Sequence, residues 1–167
     1  YGMDVSGLEE TALRLCQARG LTLSAAESCT GGLIAKRLTD IPGASQTFLG
    51  GVVSYTNAVK QHVLGVPASL LETYGAVSAP VARAMAMGVR VLTGSDLALS
   101  VTGLAGPAGD DHGNPVGTVF TALSTPQGVF VRQLALGGDR ERIRTLSAHH
   151  ALDLLRRYLT DQMTGGE

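Results

Sequence analysis

Residues 21–38 have the sequence LTLSAAESCTGGLIAKRL, and this stretch decides the fold. Its first six residues begin with alternating apolar and polar side chains, which predicts a strand at residues 21–26. The next six, ESCTGG, end in two glycines, and a helix is predicted at residues 33–38. A strand that passes through a glycine-rich turn into a helix is typical of α/β domains.

The rest of the chain alternates in the same way before it ends in a hairpin and a long helix. The further predicted elements are a first helix that Gly20 ends, a strand at 52–55, a short helix capped by Asn57, helices at 67–74 and 78–92, a strand at 97–101, a hairpin at 116–123 and 129–136, and a last helix that ends near residue 159. This order predicts an α/β fold, a three-layer α/β/α sandwich with a mixed sheet. We expect one domain at residues 3–160 and a frayed tail at residues 161–167.

Composition excludes several classes of protein. The chain has 167 residues, of which 44% are hydrophobic and 16% charged, so it can bury a core and is not disordered. Its net charge of −1 and the lack of a basic stripe argue against nucleic-acid binding. No stretch reaches about 18 apolar residues, so no membrane partner is expected. Without a signal peptide, and with only Cys16 and Cys29, the chain is expected to be reduced and cytoplasmic.

The turn at residues 27–32 is the first candidate for chemistry. The N–H groups at a helix start favour negative charge, so a nucleophile at Ser28 would have donors ready for a tetrahedral oxyanion. The alternative is a residue that only caps the helix, with Gly31 and Gly32 allowing close packing. The turn by itself leaves both interpretations open.

A serine nucleophile needs a base. The histidines are His62, His112, His149 and His150. No aspartate is placed to orient any of them, so a Ser-His-Asp triad has weak support. The lysines are Lys36, expected on a solvated helix face, and Lys60, which could act as a base if burial or neighbouring cations lower its pKa. A serine–lysine pair is therefore possible, but these residues alone do not decide it.

Two later turns offer substrate contacts. Thr102 and Gly103 could present a hydroxyl and an amide to a phosphate or a ribose. Three arginines lie at the start of the last helix: Arg140, Arg142 and Arg144. Arginine matches phosphate geometry, although charged residues at a helix start usually face water. The polar loop at 110–112 is expected to be solvated, and without Cys/His ligand spacing no metal is expected.

Several strings in the chain occur together in one known family. They are AESCTGG at 26–32, PGAS at 42–45, GVVSYTN at 51–57, GAVS at 75–78, TGLAGP at 102–107, PVGTV at 115–119 and GGDR at 137–140. The chain resembles the CinA carboxy-terminal family from about residue 8 to residue 159.

That resemblance implies hydrolysis of nicotinamide mononucleotide to nicotinate mononucleotide and ammonia, within pyridine nucleotide salvage. It implies Ser28 as nucleophile and Lys60 as base, with Tyr55 assisting, and no cofactor. The family's binding positions correspond to Ser45, Thr102 and Arg142. Amides of the turn, at Cys29, Gly31 and Gly32, would hold the oxyanion, with Gly103 also on the substrate. The family and the high apolar content together favour a homodimer.

Two competing hypotheses give the chain a different function. One is a nucleotide-binding or interaction module without turnover, suggested by the family's link to competence and DNA damage. The other is a serine–lysine amidase that acts on a different small amide. Release of ammonia from nicotinamide mononucleotide would distinguish an amidase from the module without turnover. A panel of substrates would distinguish it from an amidase of a different small amide.

Overall fold

The computed structural model describes residues 7–163. The helices are α1 (Leu8–Ala18), α2 (Leu33–Thr39), α3 (Asn57–His62), α4 (Ala68–Tyr74), α5 (Ala79–Thr93) and α6 (Arg140–Leu159), and the strands are β1 (Leu23–Glu27), β2 (Phe48–Val53), β3 (Leu97–Gly103), β4 (Thr118–Thr125) and β5 (Gly128–Ala135). A 3₁₀ turn at Ala44–Gln46 precedes β2. The predicted domain at residues 3–160 and the frayed tail at 161–167 stay predictions; residues 1–6 and 164–167 lie outside the described part.

The strands form one mixed sheet in the order β2-β1-β3-β4-β5. β1 pairs in parallel with β2 and β3, whereas β3–β4 and β4–β5 are antiparallel. The predicted hairpin is therefore confirmed as β4–β5. Because parallel strands need a crossover, helices connect β1 to β2 and β2 to β3.

Helices cover both faces of the sheet, which confirms the predicted α/β/α sandwich. On one face α2 and α6 pack on the sheet and α1 packs on these two helices, around buried Leu13, Ile34 and Leu152. On the other face α5 packs on the sheet and α4 packs on α5, around Leu71 and Met85. Every residue of β1 is buried, and β3 is buried except at its last residue, because both strands are covered from above and below. Among residues 7–163, no helix is long and apolar enough to cross a bilayer.

The structure corrects the prediction around β2. The strand begins at Phe48 and ends at Val53, so it starts earlier than the predicted 52–55 and leaves Tyr55 outside it. The missed part contains Gly50 and Gly51, residues that sequence patterns do not assign to strands. Gly51 is needed there because a Cβ atom would lie 2.9 Å from the carbonyl oxygen of Ala25 on the paired strand.

The helix that follows β2 also differs from the prediction at its first turn. Its N-cap is Thr56, whose hydroxyl accepts a hydrogen bond from the Val59 N–H, and Asn57 is already the first helical residue. Lys60 therefore lies in the second half of a six-residue helix directly behind the end of β2.

The topology gathers the glycine-rich turns at one edge of the sheet. The parallel strands β1, β2 and β3 all end there, β4 begins there, and β5 ends there before the chain enters α6. Ligands of α/β proteins bind outside the carboxyl ends of the parallel strands. A ligand-binding site is therefore expected at this edge.

Candidate active site

Ser28 is the first residue after β1 and lies against the neighbouring strand. Its N–H donates to the carbonyl of Val101 in β3 at 3.0 Å, and its own carbonyl accepts from the Gly31 N–H at 3.1 Å. Gly31 and Gly32 have φ values of 59° and 104°, which is left-handed backbone that glycine adopts without strain. The turn thus reverses within four residues, and Ser28 is buried with 8% of its surface exposed.

Lys60 points from α3 into the same place. Its ammonium nitrogen lies 2.9 Å from the Ser28 hydroxyl oxygen and donates to the carbonyls of Ser54 at 2.7 Å and Tyr55 at 3.5 Å. Only 1% of the residue is exposed, which makes it one of the largest fully buried side chains. A neutral amine has two N–H donors and one lone pair. With the donors on the two carbonyls, the lone pair can accept the hydroxyl proton of Ser28.

Burial favours the neutral form of this lysine. Removal from water lowers the pKa of Lys60 from 10.5 to about 8. The same burial raises the pKa of the Cys29 thiol to about 11, so this cysteine stays protonated near neutral pH. Because the thiolate is the reactive form, Cys29 is a poor nucleophile beside Ser28.

A pocket of about 310 Å³ opens in front of the Ser28–Lys60 pair. It brings together six of the residues predicted from the sequence: Ser28, Cys29, Tyr55, Lys60, Thr102 and Gly103. Part of its wall is apolar, from Ala76, Val77, Leu104 and Ala105. The arrangement presents a nucleophile and a base at one side of a cleft that can take a flat ring.

Two of these lining residues make contacts that their predicted roles did not include. The Tyr55 hydroxyl accepts a hydrogen bond from Arg140 at 3.0 Å, while Lys60 contacts Ser28 directly. The Thr102 hydroxyl donates to the carbonyl of Ala76 at 2.8 Å, so its oxygen can still accept a bond from a ligand.

Four predicted binding residues do not line this pocket. Ser45 is exposed in the 3₁₀ turn, and the Gly31 N–H is already engaged with the Ser28 carbonyl. Gly32 is the N-cap of α2 and is not among the residues that line the pocket. Arg142 is exposed, and its aliphatic stem lies over Gly138, where a Cβ atom would be 2.4 Å from its Cδ atom.

Of the three arginines that the sequence offered, Arg140 lines the pocket, whereas the family resemblance had given the binding role to Arg142. Arg140 donates to the carbonyl of Gly106 at 2.6 Å and to the Tyr55 hydroxyl, so it joins two of the loops that form the cleft. Asp139 caps α6 through the Arg142 N–H, and this cap fixes which of the three arginines faces inward. Arg144 points elsewhere and donates to the carbonyl of Cys29 at 3.0 Å.

Sequence reasoning missed Glu27, which is 1% exposed at the end of β1. An acidic residue that closes an apolar strand is itself a signal, because carboxylates are rarely buried without partners. Within the described residues, no three His, Cys, Asp or Glu side chains lie together in a way that could hold a metal ion.

Comparison with known proteins shows the family to which the chain belongs. The family model of the CinA C-terminal domain matches residues 5–159. A CinA-like protein of Desulfotalea psychrophila is 54% identical over 159 residues, which cover 95% of this chain and 38% of that protein. The chain spans 38–39% of the length of the first curated relatives it matches.

Solved structures match over almost their whole length. The competence-damaged protein (CinA) superfamily protein of Klebsiella pneumoniae has a TM-score of 0.92 at 31% identity, with 95% of this chain and 99% of that chain covered. The competence/damage inducible protein CihA of Agrobacterium tumefaciens has a TM-score of 0.89 at 38% identity, with 96% and 98% covered.

Proposed function

Because the chain belongs to the CinA C-terminal domain family, we propose that it hydrolyses the carboxamide of nicotinamide mononucleotide. The products are nicotinate mononucleotide and ammonia, and the reaction serves pyridine nucleotide salvage. One observation carries the proposal: the Lys60 nitrogen lies 2.9 Å from the Ser28 hydroxyl oxygen at a pocket. A nucleophile within hydrogen-bond reach of its base is the arrangement that covalent amide hydrolysis requires.

The proton follows a short route in this mechanism. Neutral Lys60 takes the proton of the Ser28 hydroxyl while the serine oxygen attacks the carboxamide carbon. The resulting ammonium group gives that proton to the leaving nitrogen, and ammonia departs from an acyl-enzyme ester on Ser28. Water then attacks the ester with Lys60 again as base, which releases the carboxylate and restores both residues.

The developing oxyanion needs donors next to Ser28. The Ser28 N–H is bound to Val101 and the Gly31 N–H to Ser28 itself. Within residues 7–163, the N–H groups of Cys29 and Thr30 donate no hydrogen bond to another residue of the protein. Of these two residues only Cys29 lines the pocket, whereas Thr30 is fully buried. The Cys29 N–H is therefore the candidate donor of the oxyanion hole, where one donor contributes about 3 kcal/mol to transition-state stabilisation.

The rest of the substrate suits the shape and charge of the cleft. The apolar wall of Ala76, Val77 and Leu104 fits the flat nicotinamide ring, and a volume of about 310 Å³ is at the lower end for ligand pockets. The phosphate then extends towards the pocket mouth and α6. Arg142, proposed from the family pattern, and Arg140, which lines the cleft, are the two cations that could meet it.

Burial of Lys60 argues against a binding module without turnover. A buried charge is costly unless it is paired, and within residues 7–163 no carboxylate forms an ion pair with this lysine. A lysine with only a packing role could be replaced by an apolar side chain without loss of stability. A base, by contrast, gains from the neutral form that burial favours.

The test is the release of ammonia and nicotinate mononucleotide by purified protein. Nicotinamide mononucleotide is incubated with enzyme, ammonia is followed by a coupled dehydrogenase, and the nucleotide product is quantified by chromatography. Equimolar formation of both products is expected. Nicotinamide riboside, nicotinamide and glutamine form the comparison panel.

The panel also separates the competing functions. Ammonia from another amide, with none from nicotinamide mononucleotide, would keep the serine–lysine chemistry and replace the substrate. Binding of the nucleotide without any product would contradict the amidase and favour the nucleotide-binding module.

A further inference from the structure

The carboxylate of Glu27 is buried directly beside the nucleophile, in a closed set of hydrogen bonds. It accepts from the Thr30 hydroxyl at 2.7 Å, from the Ile34 N–H at 2.8 Å and from the Ala35 N–H at 3.0 Å. The residue is 1% exposed. A buried carboxylate with three donors is fully engaged with the protein and has little freedom to move.

These bonds replace a cap that α2 lacks. Its N-cap is Gly32, which has no side chain, so the N–H groups of Ile34 and Ala35 would have no acceptor from a capping residue. Glu27 supplies that acceptor from the strand before the turn. The five residues from Ser28 to Gly32 therefore lie between the backbone of Glu27 and the two helix N–H groups that its side chain binds.

The main chain of Glu27 reaches the base as well. Its carbonyl accepts from the Ser54 N–H at 2.7 Å and from the Ser54 hydroxyl at 3.2 Å. The carbonyl of Ser54 in turn accepts from the Lys60 nitrogen at 2.7 Å. One residue therefore connects the turn that carries Ser28 with the segment that orients Lys60.

We propose that Glu27 is a positioning residue that sets the contact between Ser28 and Lys60 and orients the turn that presents the Cys29 N–H to the substrate. The proposal rests on the roles given to Ser28 and Lys60 above. Since Glu27 takes the N–H groups of Ile34 and Ala35, the donor left for a substrate lies inside the turn, at Cys29. The rival view is that Glu27 only stabilises α2 and leaves the chemistry unaffected.

Glu27→Gln tests this with the least change in shape. The amide keeps the volume of the side chain but replaces one acceptor oxygen with an NH₂ donor. In either orientation that donor faces at least one N–H of α2, so the set of three bonds cannot be completed. Glu72→Gln is the matched control, because Glu72 is exposed on α4 and far from the turn along the chain.

The readout does not depend on the natural substrate. A fluorophosphonate reacts with an activated serine: the serine oxygen bonds to phosphorus, fluoride leaves, and the hydroxyl proton passes to the base. The rate of Ser28 labelling is followed by mass spectrometry for each variant, with Ser28→Ala as the blank. Loss of a charge-assisted bond predicts labelling by Glu27→Gln that is roughly tenfold slower or more. Glu72→Gln labels at the wild-type rate.

Turnover of nicotinamide mononucleotide gives the second readout. We expect kcat of Glu27→Gln to fall roughly tenfold or more while KM stays within about twofold, because positioning affects the reaction and not the binding. All assays are run below the Tm of every variant, with folding checked by near-ultraviolet circular dichroism. Lower thermal stability with wild-type labelling and kcat would show a structural cap only and overturn the proposal.

Thr30→Val keeps the test decisive if Glu27→Gln does not fold. Valine preserves the shape of threonine and removes one of the three donors to Glu27. Labelling should slow by roughly three- to tenfold. An unchanged rate in this variant would overturn the positioning role.

The labelling and turnover experiments distinguish failure of the proposed substrate from failure of the positioning role. Labelling of Ser28 without turnover of the nucleotide refutes the proposed substrate and leaves the effect of Glu27→Gln measurable. A wild-type Ser28 that does not react at all contradicts the nucleophile, and the positioning role of Glu27 with it.

Discussion

The pH dependence of catalysis should report the pKa of Lys60. Burial lowers that pKa from 10.5 to about 8, and the residue is 1% exposed. At pH 7 the neutral fraction of a lysine with a pKa of 8 is about one in eleven, compared with about one in three thousand at 10.5. The fold therefore raises the amount of active base roughly 300-fold at neutral pH.

This magnitude predicts the shape of the profile. Between pH 6.5 and pH 8, kcat/KM should rise with pH, approaching a tenfold increase per unit well below the pKa, and it should flatten above about pH 8. The assay is the initial rate of ammonia release at low nucleotide concentration and constant ionic strength. Data below about pH 6.5 are set aside because the substrate phosphate titrates near pH 6.

Lys60→Arg is the control for the profile. A guanidinium keeps its proton at every pH used, so this variant should be nearly inactive throughout. A wild-type profile that is flat from pH 6.5 to pH 8, or that rises until pH 10, would refute a buried lysine base. Activity in Lys60→Arg would remove the lysine from the mechanism.

Three further predictions concern stability and binding. Lys60→Met should be at least as stable as wild type at pH 7. Between pH 8 and 10.5 the unfolded lysine binds a proton that the folded one does not, so the free energy of unfolding of wild type should rise by up to about 3 kcal/mol relative to the variant. Urea unfolding at pH 7 and pH 10 checks this, and a constant difference between the two proteins would contradict it. Arg142→Ala should raise KM for the nucleotide about ten- to hundredfold and spare the riboside if Arg142 holds the phosphate, whereas the same selective loss in Arg140→Ala alone would assign the phosphate to Arg140. Gly51→Ala should lower the free energy of unfolding by about 1–3 kcal/mol, because its Cβ atom would meet the Ala25 carbonyl at 2.9 Å; a wild-type Tm would contradict this.

The sequence predicted the elements whose signals are local. The apolar run of β3 and the hairpin β4–β5 depend on neighbouring residues and agree with the structure. β2 was only partly predicted, because the preference of Gly50 and Gly51 against strands is overridden by pairing with β1. Propensity describes the isolated segment, whereas the close approach of two backbones is a property of the sheet.

The site shows the same division between local and distant information. Ser28 and Lys60 are 32 residues apart, and local pattern left their contact undecided; the family resemblance joined them. The orientation of the three arginines follows from the Asp139 cap, and a shift of two residues on a helix turns a side chain to another face. Glu27 was missed because its role depends on helix N–H groups seven and eight residues further along.

The most direct test of the central claim compares Ser28→Ala with Cys29→Ala in the same ammonia-release assay, with both variants shown to be folded. Ser28 lies against Lys60, and burial holds the pKa of the Cys29 thiol near 11. Ser28→Ala should lose several orders of magnitude in kcat for nicotinamide mononucleotide, while Cys29→Ala keeps much of the wild-type rate. Turnover near the wild-type rate in folded Ser28→Ala would contradict the account.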